Sequence, residues 1–427
     1  MKRNFSKIFG VGLTVALLAS MMVMGLPASA STLAFGSETL ITTTDNLLSP
    51  ANMDIVDMAV NDSTIYVVTG ATASNITYKS TDAGAKWSSL ATTTDYPNDY
   101  PKLVAVAADD ANVVAIVTAS NNVSYSTNGG SSWSNLGMPA GANILDIDIS
   151  PLVAGVRNVA IAGVDGTPTG QLWTMKLAMA EAWTARAVVA DGFNASASIN
   201  AVKFSPNFAS DKVVACVTAT APAARLQVFR LETGLYKWNN LISWFGTDWT
   251  GGANITTITG NILSASIAIT PAYVGSDLGT RLVYVGLATA GEGGVYRVND
   301  IVSKKFETWS GGDPGKIYSV AYHSSGKLLA GKADSSTVYV CLTPTASTPQ
   351  FERTTNYKQP GGAANVTVAW SGTTAVAGTY GDESAFAVST DNGITFNDIS
   401  LIDTTLATMT DFAIDSTGAK WYLATYS

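Results

Sequence analysis

Beyond residue 50 the chain alternates short apolar or apolar-polar runs of roughly four to eight residues with clusters of Gly, Asn, Asp, Ser and Pro. That period belongs to half-buried and buried β-strands. From Met53 the runs read MDIVDMAV, TIYVVTG, NITYKS and WSSL, and from Leu103 the same order returns as LVAVAAD, VVAIVTA, NVSYST and WSNL. Further units start near residues 143, 199, 264, 316 and 364, and Pro151, Pro206 and Pro271 each close the first run of a unit. Proline stops a ladder there without breaking its middle. Four short strands per unit, repeated along the chain, predict an all-β fold, a β-propeller of seven or eight four-stranded antiparallel blades. A partial unit from residue 408, TMTDFAIDSTG and KWYLATYS, leaves two closures open. Either residues 31–45 complete an eighth blade, or seven blades close by themselves. The edges that a lone hairpin would expose tilt the expectation slightly toward eight.

Three units carry one turn motif: STDAGAKW at Ser80–Trp87, STNGGSSW at Ser126–Trp133 and STDNGITF at Ser389–Phe396. Asp82, Asn128 and Asp391 suit the acceptance of turn N–H groups. Gly84, Gly130 and Gly393 suit a positive φ, and Ser80, Ser126 and Ser389 add a hydroxyl. Trp87, Trp133 and Phe396 are read as apolar lids folding back on the hairpin. Glu232, Gly234 and Trp238 keep a worn version in the fourth unit.

Residues 1–30 read as a secretory signal: Lys2, Arg3 and Lys7, an apolar run from Ile8 to Leu26, then Ala28-Ser29-Ala30. The propeller is expected over 31–427, exported to the cell surface, the envelope or the extracellular space, with no stable membrane insertion once the leader is removed. Loss of the three basic leader residues moves the net charge from −8 to −11, which argues against a nucleic-acid partner. Charged residues make up only 13%, as in exported chains whose surface is rich in Ser, Thr and Asn. Cys216 and Cys341 read as two separate buried thiols, with one long-range bridge as the alternative.

The three turn segments resemble the Asp-box, or BNR repeat, of sialidase-like propellers. That superfamily also holds other glycoside hydrolases and the photosystem II assembly factor. The resemblance implies that the boxes lie on the outer rim, away from a central ligand site, so their acids are not nominated for catalysis. It also sets an inventory for sialidase chemistry that this chain lacks, since no arginine stands between the leader and Arg157. A glycosidase needs only two carboxylates across a cleft. The acids on blade-initial strands, Asp54, Asp57, Asp146, Asp148, Asp411 and Asp415, are the weak candidates, and a polar channel wall is the simpler account. Asp146 and Asp148 alternate with Leu145, Ile147 and Ile149, which places both acids on one strand face.

His323, the only histidine, stands beside Ser324-Ser325-Gly326 in a turn. No cofactor or metal motif is present; Asp109, Asp110 and Asp277 lack a recognisable calcium spacing. The expectation is a non-catalytic structural or binding module for an extracellular protein or glycan, with a glycoside hydrolase as the alternative. Trp244, Phe245 and Trp249 in the long fourth-unit loop are either a contact patch or packing over the blade rim.

Overall fold

The computed structural model describes residues 54–70, 76–90, 99–167, 169–177, 179, 181–220, 222–239, 252–352, 358–381, 384–399, 408–414 and 421–426. Seven antiparallel sheets follow one another in chain order. Their first strands are Ile55–Asn61, Pro101–Ala107, Asn143–Ile149, Ser198–Phe204, Ile262–Ile269, Ile317–His323 and Ala364–Ser371. Each first strand packs beside the next, and the seventh packs beside the first. These strands therefore ring a central channel, and the later strands of each sheet step outward. The chain is a seven-bladed all-β propeller whose helical content, among the described residues, is one short turn at Phe208–Asp211 and two 3-10 turns.

The slight preference for eight blades gives way to a ring closed by seven. Blades one and seven meet directly, which leaves no gap for another sheet. The backbone N–H of Gly381 donates to Asp54 Oδ1 at 2.7 Å, and Ser371 Oγ donates to the Asp62 carbonyl at 2.7 Å. A Cβ at Gly378 would stand 2.7 Å from Ile55, so the absent side chain sets how closely the two sheets approach. The strands Thr408–Ile414 and Trp421–Tyr426 form a two-stranded sheet of their own. Residues 31–45 lie outside the described residues.

Two blades depart from the four-strand pattern. In blade six three strands pair among the described residues. At the start and beyond the end of the FERTT run, Glu352 N donates to the Val340 carbonyl and Gln359 Oε1 accepts from Val338 N. The rest of that run, from residue 353, lies outside the described residues. In blade four the outer position is split. Lys237–Trp238 pairs with one half of the third strand, and Ala253–Thr257 pairs with the other. The long insertion leaves and rejoins the sheet between these halves.

The three turn motifs share one geometry. Ser80 Oγ donates to Asp82 Oδ1 and accepts from Gly84 N, while Asp82 Oδ1 also accepts from Lys86 N. The same three bonds recur at Ser126, Asn128, Gly130 and Ser132, and at Ser389, Asp391, Gly393 and Thr395. Each glycine has a positive φ, and so does the residue before it: Ala83, Gly129 and Asn392.

The motif's role extends beyond the local turn. A Cβ at Gly84 would strike Phe386 of blade seven, one at Gly130 would strike Leu90 of blade one, and one at Gly393 would strike Leu329 of blade six. Each glycine is therefore pressed on the preceding blade. The aromatic residue behaves alike. Trp87 meets Phe386 edge-on at 5.0 Å, and Phe396 is buried with Leu329, Val338 and Val340. Trp133 packs into the cluster of Tyr66 and Val68.

Blades without a clear motif keep the aromatic. Trp183 Nε1 donates to the Leu136 carbonyl at 3.1 Å, and Trp238 Nε1 donates to the Arg186 carbonyl at 2.6 Å. Phe351 of blade six packs on Phe306 of blade five at 5.3 Å.

Phe386→Ala should destabilise the protein by about 3–5 kcal/mol in urea or thermal unfolding. Gly84→Ala should destabilise it too, through its φ of 94° and the clash with Phe386. The double variant should cost less than the sum, because the void left by Phe386 accepts the new methyl. Strict additivity would show that Gly84 is required for its turn alone.

Candidate functional site

The channel is the natural place to look for chemistry, and its wall has a specific problem. The first strand of every blade turns a free edge toward the channel, where backbone N–H groups lack ladder partners. All seven first strands also carry a register shift near their start, for example between Ile55 and Asp57 and between Ile144 and Asp146. The residue just past each irregularity is Asp57, Leu103, Asp146, Ala201, Ser264, Ser319 or Thr367 in blades one to seven.

Six of the seven N–H groups that follow these positions are capped by side chains. Asp57 Oδ1 accepts from Met58 N at 2.8 Å, and its Oδ2 reaches into blade two to accept from Val104 N at 2.8 Å. Asp146 repeats this, with Oδ1 accepting from Ile147 N at 2.8 Å and Oδ2 accepting from Val202 N of blade four at 2.7 Å. Ser266 Oγ accepts from Val320 N, and Ser319 Oγ accepts from Val368 N. An aspartate here serves its own blade and the next. The preceding blade then needs no acceptor, which accounts for Leu103 ahead of Asp146 and for Thr367 ahead of Asp57. Thr367 Oγ1 is buried without a hydrogen-bond partner.

Asp148, two residues beyond Asp146, extends the stitch. Its Oδ2 accepts from Phe204 N at 2.7 Å, and its Oδ1 pairs with Lys203 Nζ at 2.7 Å. The Asp148 side chain is 5% accessible while that of Lys203 is 48% accessible, so the acid is the buried member of the pair. Around this seam lies a cavity of ≈ 560 Å³, lined by polar residues such as Asp57, Asp146, Ser266 and Tyr318 and by apolar ones such as Leu103, Leu145 and Leu263.

Burial raises Asp57 to about 6, although its backbone hydrogen bonds and Lys203 oppose the shift. Burial raises Asp146 to about 7, against its bond from Val202 and the charge of Lys203, with Asp57 adding repulsion. Enclosure disfavours charge on Lys203, but Asp148, Asp146 and Asp57 together outweigh it and its pKa is raised. Tyr318, whose hydroxyl donates to the Val56 carbonyl, is pushed up to about 12 by burial and by Asp57.

The other sequence candidates are placed apart from this seam. Asp54 holds the junction of blades one and seven. Asp415, Trp244, Phe245, Trp249 and the side chain of Asp411 lie outside the described residues. His323 ends a first strand, with Nδ1 2.7 Å from Ser325 Oγ and its ring 4.8 Å from Trp370. Among the described residues no arginine lines the channel. Asp109 pairs with Arg157, and Asp277 caps Gly279 N at 2.9 Å. No group of three or more His, Cys, Asp or Glu side chains among the described residues gathers in a way that would hold a metal. Cys216 and Cys341 are separate buried thiols.

Lys203, Ser266 and Ser319 were not singled out from the sequence. Their signal is the phase of a polar residue relative to the register shift, which needs the alignment of all seven first strands.

No protein-family model matches the chain, and no curated protein matches it. The fold is similar to several solved propellers. YCF48 from Cyanidioschyzon merolae is 16% identical, with 64% of this chain and 75% of that chain covered and a TM-score of 0.40. The GH74 enzyme of Niastella koreensis is 13% identical, with 82% and 67% covered and a TM-score of 0.38. U3-55K is 12% identical, with 76% and 88% covered and a TM-score of 0.47. At these identities the likeness is one of fold. What fold and site define together is a seven-bladed propeller whose channel acids stitch blade to blade.

The raised acids fix a pH dependence. Because Asp57 and Asp146 have folded pKa values above the usual carboxylate range, their stabilising contribution is full below that range and is lost as pH rises through about 6 to 7. Asp82, Asp109 and Asp391 have lowered values, so their contribution is lost only at lower pH. Thermal stability should therefore be greatest near about pH 4 to 5 and fall toward about pH 8, by on the order of 2 kcal/mol. Asp57→Asn combined with Asp146→Asn should flatten that slope in a melting series; an unchanged slope would assign it to other groups, such as Asp211, whose pKa burial also raises.

Proposed function

We propose that this chain is an exported propeller serving at the cell surface or envelope as a structural or binding module for an extracellular protein or glycan, with no chemistry in its channel. The observation that carries this reading is the use of the channel acids. Both oxygens of Asp57, Asp146 and Asp148 accept hydrogen bonds, and five of these six bonds come from backbone N–H groups of the strand edges. A general acid or nucleophile needs an oxygen free to meet substrate. Here the carboxyls are held against the wall by the edges that they cap. The basic, apolar and small-residue order of residues 1–30 supports export, and the scarcity of charge with Ser/Thr-rich turns supports an extracellular surface.

One observation favours the glycoside hydrolase as a second reading. Asp57 and Asp146 have raised pKa values on the wall of one cavity, as acid catalysts often do. A glycan array run beside hydrolysis assays on the same panel separates the two. The module reading expects binding without turnover. Turnover abolished by Asp57→Asn or Asp146→Asn, in protein that still melts cooperatively, would replace it with the hydrolase.

A further inference from the structure

A second cavity of ≈ 760 Å³ opens between blades three and four, away from the channel. Its size falls within the range of roughly 300–1,000 Å³ common for small-molecule sites. Its wall includes Arg186, which follows the outer strand of blade three at Thr184–Ala185. The guanidinium lies over the ring of Tyr236 of blade four at 4.4 Å, and Nε donates to Thr174 Oγ1 at 2.8 Å. The side chain is thus held in place by a stacking partner and one hydrogen bond.

Arg186 is in no salt bridge, unlike three of the other described arginines. Arg157, Arg230 and Arg281 pair with Asp109, Glu232 and Asp300. Arg225 and Arg297 donate to backbone carbonyls. Among the described residues no salt bridge reaches Arg186. The two acids of the cleft are engaged elsewhere, Glu181 by Lys176 and Glu232 by Arg230. Lys212, also on the wall, donates to the carbonyls of Phe208 and Ala209 and likewise has no acid partner. Burial lowers the pKa of Arg186, with Tyr236 and Glu181 opposing, so the guanidinium has given up part of its hydration. The cleft wall carries three cations, Lys176, Arg186 and Lys212, against two acids, Glu181 and Glu232, an excess of one positive charge in a chain of net charge −8.

We propose that the cleft between blades three and four binds the carboxylate of a uronic-acid unit in an acidic glycan. Arg186 supplies the planar donor fork that suits a carboxylate, and stacking on Tyr236 orients that fork. Thr184, Thr233 and Asn158 line the same wall and offer hydroxyl and amide groups to sugar hydroxyls. Leu231, half-buried, offers apolar surface to the C–H face of the ring. This hydroxyl-rich lining favours a sugar over an acidic peptide. The proposal deepens the binding-module reading and rests on it.

Calorimetric titration of the full chain with trigalacturonate and with cellotriose, a neutral trisaccharide, tests the assignment. Trigalacturonate should bind about tenfold or more tightly than cellotriose and should weaken with added salt. Arg186→Met keeps an unbranched side chain over Tyr236 but removes the donors, and should lower affinity by about tenfold or more. Thr233→Trp, at an exposed position on the cleft wall, should obstruct binding without touching Arg186. Equal affinity for the two trisaccharides, or wild-type binding by both variants with unchanged melting temperatures, would overturn the cleft assignment. Binding of other glycans on the array would then leave the module reading standing, whereas silence toward every glycan and protein tested would remove both.

Discussion

Among the described residues no strand is shared between blades, and the whole ring depends on that constraint. Every blade is a contiguous stretch of chain, so the seven sheets stay together only through face-to-face packing and the bonds that cross between neighbours. Blades one and seven face the strictest version, because their sequences lie far apart and their union fixes the topology. The side-chain-free positions Gly378 and Gly84 permit close approach there, and the Trp87–Phe386 contact fills the space outside them. An aromatic residue at or near the outer strand ties six of the seven blades to the one before. The repeat therefore preserves a contact between units more faithfully than it preserves the turn that made the units visible.

Near the axis the same constraint takes a polar form. A ring of free strand edges leaves N–H groups without partners, and burying such groups unpaired costs on the order of 1–3 kcal/mol each. Two aspartates and two serines cap six of the seven N–H groups just past the strand irregularities, and four of those six bonds run from one blade to the next. This gives carboxylates with raised pKa values a structural reason to sit in a channel. Their desolvation is the cost of satisfying the backbone, and Lys203 offsets part of it.

The fold was legible in the sequence because its signals are local. Alternation, turn residues and proline positions recur at blade spacing, and they give strand order without any long-range information. The blade count was less legible. TMTDFAIDSTG has the same alternation as a true first strand, and only the direct union of blades one and seven decides that the ring closes without it. The alternation in DIDIS places Asp146 and Asp148 on one face, and both line the channel wall. Their partners, Val202 N, Lys203 and Phe204 N, stand more than fifty positions away. No single-strand pattern distinguishes a carboxylate that caps a neighbour's edge from one that waits for substrate.

That distinction bears on where propellers of this kind place their function. When the axis is stitched by its own side chains, groups near it are committed to holding the ring. The grooves between outer strands carry no such duty, because their backbone is already paired within each sheet. Side chains there remain available, and Arg186 illustrates the difference. It is ordered by Tyr236 and Thr174 and is in no salt bridge, whereas each channel acid has its oxygens engaged by the fold. The seams between blades thus combine rigidity from packing with polar groups that the fold has not consumed, which is the combination that a recognition site requires.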